Sequence, residues 1–357
     1  MLLYMPTKVY SEDNCVINHG KEMILGTKAM IVTGKHSSRK NGSLDDVLKV
    51  LNENNVDYII FDDVEENPSV ETVMKAKEIG CKEGVDFLIG IGGGSPLDAA
   101  KAISLMMKNP NETEDVLYQT KVLEYYPIVC IPTTCGTGSE VTPYSVLTLH
   151  KKKTKRGISH KIFADLALLD AKYLKSMSYN GLVNTCVDAL AHLFEGHLNA
   201  RSNELNRMYS KEGFSVWAKF KNALLKNEIK DEDYINMMHA SMIAGLTITH
   251  TGTSIPHSMG YPVTYDLGIA HGRACGIFLP GFVEAYKNKE DVNECLSLLG
   301  FKNVLEFRKY MIELLGIVEV KDEILDKAAD DLIENKAKLK NFPFEITKEE
   351  LKGLITK

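Results

Sequence analysis

The sequence predicts an α/β amino-terminal half built on a parallel sheet, followed by an all-helical carboxyl-terminal half. Short apolar runs at 29–32, 58–61, 87–91, 127–131 and 166–169 alternate with polar, helix-like stretches. Continuous apolar runs of four or five residues are the mark of strands buried on both faces, and helices between them make the sheet parallel. After about Tyr179 strand signals give way to 3.6-residue periodicity, as in 182–195, 203–225, 233–247 and 292–315. The expected domains are therefore 1–180 and 181–357, with Asn180-Gly181 at the boundary. At 357 residues the chain is long enough for two cores.

The first runs, 29–32 and 58–61, end at Gly34 and at Asp62-Asp63. The third run leads into Gly92-Gly93-Gly94-Ser95-Pro96 and then a helix. Proline is tolerated in a first helical turn, and glycines there let backbone N–H groups approach an anion at the positive end of the helix. A diphosphate is the guest expected; a tight strand-to-helix turn is the alternative. The fourth run leads into Pro132-Thr133-Thr134-Cys135-Gly136-Thr137-Gly138-Ser139-Glu140-Val141-Thr142. A threonine-rich loop at a strand's carboxyl end can line a ligand crevice or cap its own backbone. Two such loops following consecutive strands favour a shared nucleotide site.

In the helical half, Asp188 and His192 are four apart and share one helix face. With His257 and His271 they make a one-oxygen, three-nitrogen set suited to a divalent transition metal, and such a metal with an open position is a Lewis acid. Ten histidines are present, so rivals exist. His250 competes with His257, His197 lies five after His192 and off its face, and His239 reads as a packed or surface residue. Glu195, seven after Asp188, reads as a partner to the ligands.

Composition limits the function classes. Apolar residues make up 44% and charged residues 25%, with a net charge of −6, and the basic clusters at 151–153 and 155–156 are short, so nucleic acid is not an expected partner. No run reaches membrane-spanning length, and the first six residues lack a signal peptide's apolar core. Seven scattered cysteines without a Cys-x-x-Cys pair read as reduced thiols, giving a cytoplasmic expectation.

Taken together, Gly92-Gly93-Gly94-Ser95 with Asp98 and Lys101, Pro132-Thr133-Thr134 through Glu140, Asp188-x-x-x-His192, His257 and His271-Gly272 resemble the iron-containing (group III) alcohol dehydrogenase family over nearly the whole chain. The resemblance implies an active site in the cleft between a Rossmann-like, dinucleotide-binding α/β domain and a helical domain. It implies Asp188, His192, His257 and His271 as metal ligands and, through the metal, as the catalytic set. It implies a pyrophosphate loop at Gly92, Gly93, Gly94 and Ser95 with Asp98, contacts from Thr133, Thr134, Thr137 and Thr142, and a ribose-contacting Lys155. A homodimer or larger oligomer and a small alcohol or aldehyde substrate follow from the same likeness. So does Fe²⁺, with Zn²⁺ as the alternative.

Two positions depart from the family pattern. Tyr261 stands where some members carry a histidine near the nicotinamide, which removes a histidine relay and leaves the tyrosine as a catalytic candidate able to donate or accept a hydrogen bond. Gly34 stands where NAD-preferring members often carry an acid. With Lys35, Ser37 and Arg39 nearby, the segment offers donors rather than repulsion to a 2′-phosphate. The expectation is NADP(H) over NAD(H), and an NAD(P)-linked alcohol dehydrogenase or aldehyde reductase. Glycerol or polyol dehydrogenases and a dehydroquinate synthase-like lyase share the fold, but their ligand sets usually contain fewer histidines. A nucleotide-binding protein without catalysis would be marked by lost ligands, and none is lost.

Overall fold

The computed structural model describes residues 4–152 and 154–356. The first three residues, Lys153 of the basic cluster and Lys357 lie outside it. The chain forms two compact units, one of Tyr4–Thr134 with Ser139–Met177, the other of Ser178–Lys357 with Cys135–Gly138.

The first unit is an α/β layer. Its six-stranded sheet comprises β1 (Lys8–Ser11), β2 (Lys28–Thr33), β3 (Asp57–Phe61), β4 (Phe87–Gly92), β5 (Ile128–Pro132) and β8 (Leu166–Leu169), in the order β1-β8-β5-β4-β2-β3. All its pairings are parallel. Successive side chains on a strand point to opposite faces, so each strand feeds two cores. Ala29, Ile31, Ile89, Ile91, Val129 and Ile131 pack with Leu44, Val47 and Leu51 of the helix Ser43–Glu53. Met30, Val32, Leu88 and Cys130 pack instead with Val73 and Ala76 of the helix Val70–Glu83 and with Leu97 and Ile103 of the helix Gly94–Lys108. Burial on both faces is why these strands read as unbroken apolar runs.

The chain order reverses at β2, which has β3 on one side and β4 on the other. Connections diverge at such a point, leaving a crevice at the strands' carboxyl ends. Two features were not visible in the apolar pattern. Strand β1 is short and half-exposed, and a two-stranded antiparallel ribbon joins β6 (Val146–Leu149) to β7 (Thr154–Gly157).

In the second unit every regular element among the described residues is helical. The stretch 292–315, continuous by periodicity, is two helices, Lys289–Leu298 and Val304–Leu315. Gly300, with φ of 74°, turns the chain between them. No helix among the described residues is long and apolar enough to cross a membrane.

Candidate metal centre and nucleotide loops

The helix Tyr179–His197 opens on Ser178, whose hydroxyl accepts from Gly181 N–H, and buries Asp188, His192 and Glu195 along its length. The helix Ile255–Leu267 carries His257 and Tyr261, and the six-residue helix His271–Gly276 carries His271 and Cys275. Gly272 explains how the last of these reaches Asp188. A Cβ at Gly272 would lie 1.8 Å from the Asn184 carbonyl oxygen and 3.0 Å from Asp188 Cβ, so only a glycine admits this approach.

The result is a buried cluster. Asp188 Oδ1 lies 3.4 Å from His257 Nε2 and 4.0 Å from His271 Nε2. His192 stacks on His257 with ring centroids 4.4 Å apart. Tyr261 lies flat against His271, with centroids at 5.2 Å and planes 6° apart. The imidazoles are oriented from behind. His192 Nδ1–H donates to the Gly136 carbonyl at 3.2 Å, and His257 Nδ1–H donates to Glu195 Oε2. A carbonyl and a carboxylate can only accept, so both rings are held with Nε2 turned to the cluster.

Glu195 is wholly buried, and its Oε1 accepts from Ser254 N–H at 2.6 Å. Near it, Lys338 Nζ donates to Thr253 Oγ1, and burial pushes its ammonium below the usual lysine range against the pull of the Glu195 carboxylate. Sequence reasoning passed over Lys338, which sits far along the chain in a surface-like stretch.

Electrostatics point to a cation. Burial opposes ionisation of Asp188, yet His192, His257 and His271 hold its carboxyl well below the usual range. Burial depresses His192 to about 4. It also works against a charge on His257, but the Glu195 and Asp188 carboxylates outweigh it and lift that ring to about 9. Asp188 Oδ1 and His257 Nε2 are both buried and face each other at 3.4 Å with no well-formed hydrogen bond to any other group, which is costly for polar atoms unless something satisfies them. A divalent ion fits that requirement. One donor atom from each of Asp188, His257, His271 and Cys275 lies within 4.8 Å of the others. Cys275 was not singled out from sequence, although its place four after His271 on a helix was a usable signal. Of the rival histidines, His197 is buried and bonded to Ser210 at 2.7 Å, and His250 caps the helix Asp231–Thr249 outside this close set.

The nucleotide loops sit at the sheet's carboxyl edge. Gly92 pairs with Pro132 across β4 and β5, and Thr133 N–H donates to the Gly92 carbonyl at 2.9 Å, so the glycine and threonine loops are tied together where they leave the sheet. Gly93 packs against Thr134, whose Oγ1 would be 3.0 Å from an added Cβ. The helix Gly94–Lys108 begins with no side-chain cap, which leaves its first N–H groups available to an anion. Ser95 Oγ accepts from Asn67 N–H at 2.9 Å, while Asn67 Oδ1 accepts from Lys155 Nζ at 2.7 Å. Asn67 thus couples two sequence-predicted residues, a link across 28 and 88 positions that no local pattern announces.

Other residues of the predicted nucleotide set are engaged inside the protein. Asp98 accepts from Ser139 Oγ at 2.6 Å and from Val146 N–H at 2.9 Å. Lys101, wholly buried, donates to the Ser139, Thr142 and Tyr144 carbonyls and to Ser139 Oγ. The two side chains brace the threonine loop from beneath. Thr142 is buried and directs its hydroxyl to the Ser139 carbonyl, and Thr137 belongs to the helical unit's segment Cys135–Gly138. Beyond Gly34, Ser37 is exposed, Arg39 pairs with Asp62 at 2.9 Å, and Lys35 faces Asp63 at 3.4 Å. These two acids temper the donor-rich reading of the segment.

A sheet of this order with a glycine turn, and a helical unit with a buried carboxylate–imidazole cluster, define a class that two family models describe. "Iron-containing alcohol dehydrogenase" matches residues 6–171 and "Fe-containing alcohol dehydrogenase family, C-terminal" matches residues 182–357. The chain belongs to the iron-containing alcohol dehydrogenase family.

A crystal structure of an iron-containing alcohol dehydrogenase from Thermotoga maritima is 40% identical, with a TM-score of 0.92, covering 99% of this chain and 98% of that one. An NADPH-dependent butanol dehydrogenase from Clostridium saccharobutylicum is 31% identical over 71% of this chain and 66% of its own length. Aldehyde-alcohol dehydrogenase 2 of Entamoeba histolytica is 31% identical over 77% of this chain, which spans only 33% of that protein.

Proposed function

We propose that the chain is a metal-dependent, NAD(P)-linked alcohol dehydrogenase or aldehyde reductase for small alcohols and aldehydes, with Asp188, His192, His257 and His271 as ligands of Fe²⁺ or, alternatively, Zn²⁺. The observation that carries it is the buried cluster around Asp188 Oδ1 and His257 Nε2, which face each other at 3.4 Å and have no well-formed hydrogen bond to any other group. When bound, the ion supplies Lewis acidity toward a substrate oxygen and the nicotinamide exchanges hydride.

The chain's own groups hold and orient these partners. Glu195 and the Gly136 carbonyl fix the ring tautomers of His257 and His192. The uncapped start of the helix Gly94–Lys108, with Gly93 and Ser95, receives a diphosphate. Asn67 draws Ser95 and Lys155 toward one point, Lys155 serving the ribose side. Tyr261, stacked on His271, is the side chain assigned to hydrogen-bond a substrate oxygen. NADP(H) is favoured over NAD(H), because Gly34 presents no carboxylate and the exposed Arg39 and Lys35 near it carry charges complementary to a 2′-phosphate. The named NADPH dependence of the Clostridium relative supports this. A homodimer or larger assembly in the cytoplasm accords with the family.

The test is cofactor oxidation with butyraldehyde, using chelator-stripped protein reloaded anaerobically with Fe²⁺ or Zn²⁺. Turnover that requires metal and runs faster with NADPH than NADH supports the reading. Turnover indifferent to metal removes the ligand assignment.

A further inference from the structure

We propose that Lys338 is a positioning residue for His257: from the carboxyl-terminal segment it clasps the turn that leads into the helix carrying this imidazole. The inference rests on the reading of the cluster as a metal site and deepens it by naming what keeps one of its donors in place.

The helix Ile255–Leu267 starts without help from its own cap residue. Ser254 makes no side-chain cap bond, and its hydroxyl is buried without a partner. Its backbone N–H goes instead to Glu195 Oε1, at 2.6 Å. The start of the helix is therefore fixed from outside, and Glu195 is only one of the groups that fix it. Lys338 Nζ donates to Thr253 Oγ1, and Asn341 Nδ2 donates to the Thr253 carbonyl at 2.7 Å. These two contacts span 85 and 88 positions of the chain.

The same segment is tied to the helix that bears Asp188 and His192. The Asn341 carbonyl accepts from Ala200 N–H at 2.8 Å. Asn199 Nδ2 donates to the Glu195 carbonyl at 3.2 Å and reaches the Gly252 carbonyl at 3.4 Å. Three pieces thus close on one another: the end of the helix Tyr179–His197, the turn at Gly252–Ser254, and the segment Lys338–Asn341.

Charge supplies a second reason. Glu195 is wholly buried and accepts from Ser254 N–H, His257 N–H and His257 Nδ1–H, which holds it as a carboxylate. A buried carboxylate is costly unless positive groups answer it, and Lys338 and Glu195 each favour the other's charged form. Lys338 therefore steadies His257 along two lines, through Thr253 and through Glu195. A donor must be held to within about 0.5 Å to serve its site, and that demands support of this kind.

The experiment uses the full chain with Lys338→Met, Lys338→Arg and Thr253→Val. Hydrogen exchange is first read in metal-free protein at the backbone amides of 252–258. Lys338→Met and Thr253→Val should exchange about tenfold faster there, with no change in the helix Asp231–Thr249. Lys338→Arg, which keeps the charge and the donors, should restore most of the protection. With metal, butyraldehyde and NADPH, kcat of Lys338→Met should fall about tenfold while KM for NADPH holds. The double variant should be no worse than Lys338→Met, because both changes remove the same contact. If Lys338→Met does not fold, Thr253→Val carries both measurements, since it keeps the shape of the side chain. Unchanged exchange at 252–258 overturns the proposal, and so does faster exchange with kcat intact. Fully additive losses in the double variant overturn it equally. A parent enzyme indifferent to metal would remove the ligand assignment, whereas the exchange data would still decide the clasp.

Discussion

Glu195 holds His257 from two directions. Its Oε2 accepts the ring Nδ1–H, while its Oε1 accepts the backbone N–H of His257 at 3.3 Å and that of Ser254 at 2.6 Å. A carboxylate on one helix therefore sets both where the next ligand-bearing helix starts and which ring nitrogen faces the cluster. Glu195→Gln keeps the shape but replaces one acceptor with a donor and removes the charge. Metal affinity should fall by about 10–100-fold, measured by chelator competition, with a folded circular-dichroism spectrum. Unchanged affinity would show that Glu195 serves packing alone.

Gly272 tests the close helix approach. Alanine would place its Cβ against the Asn184 carbonyl, forcing the helix that carries His271 away from Asp188. Stability should drop by roughly 1–3 kcal/mol in denaturant titrations, accompanied by weaker metal binding. A variant as stable and as metal-competent as the parent would refute this account of the glycine.

Lys101 tests the brace beneath the threonine loop. Its buried ammonium serves three backbone carbonyls and one hydroxyl. Lys101→Met removes the charge that these groups and Asp98 surround, at a cost of about 3 kcal/mol or more. Limited proteolysis should then cut faster between Ser139 and Val146. Loss of stability without faster cleavage there would locate the role elsewhere.

Burial pushes the Glu140 carboxyl up to about 7, against a small opposing pull from Lys101. The native state thus holds this proton more tightly than the unfolded chain, whose glutamate titrates near ~4.3. The resulting stability is complete below that value and is lost as pH rises through about 7. Denaturation of the parent and of Glu140→Gln should converge in acid and separate by neutral pH, on the order of 3 kcal/mol. Parallel pH profiles would show that Glu140 does not titrate in this window.

Arg39 is exposed and pairs with Asp62, and exposed pairs of this kind contribute little. Its guanidinium can therefore exchange that partner for a 2′-phosphate. Arg39→Ala should raise KM for NADPH about tenfold, equivalent to roughly 1.4 kcal/mol, and leave KM for NADH nearly unchanged. An equal rise for both cofactors would undo the proposed preference.

Much of the fold was legible because the physics behind it is local. β2, β4, β5 and β8 are buried on both faces, so their residues are apolar without interruption. β3 was also found, although only half-buried, because its run 58–61 is apolar. β7, reading Thr-Lys-Arg-Gly, has no such constraint and carries no such mark. The long run 292–315 misled because periodicity persists across a break: the helices on either side of Gly300 each bury an apolar face.

By itself the sequence determined the fold class, the glycine turn at Gly92–Gly94 and the one-face pair Asp188 and His192, since each depends on neighbours within a few residues. Tertiary structure alone decided that Asn67 joins Ser95 to Lys155, that Lys35 and Arg39 meet Asp63 and Asp62, and that Glu195 holds His257. Those contacts arise where separate strands and helices pack, and packing brings together residues between which the linear pattern holds no relation.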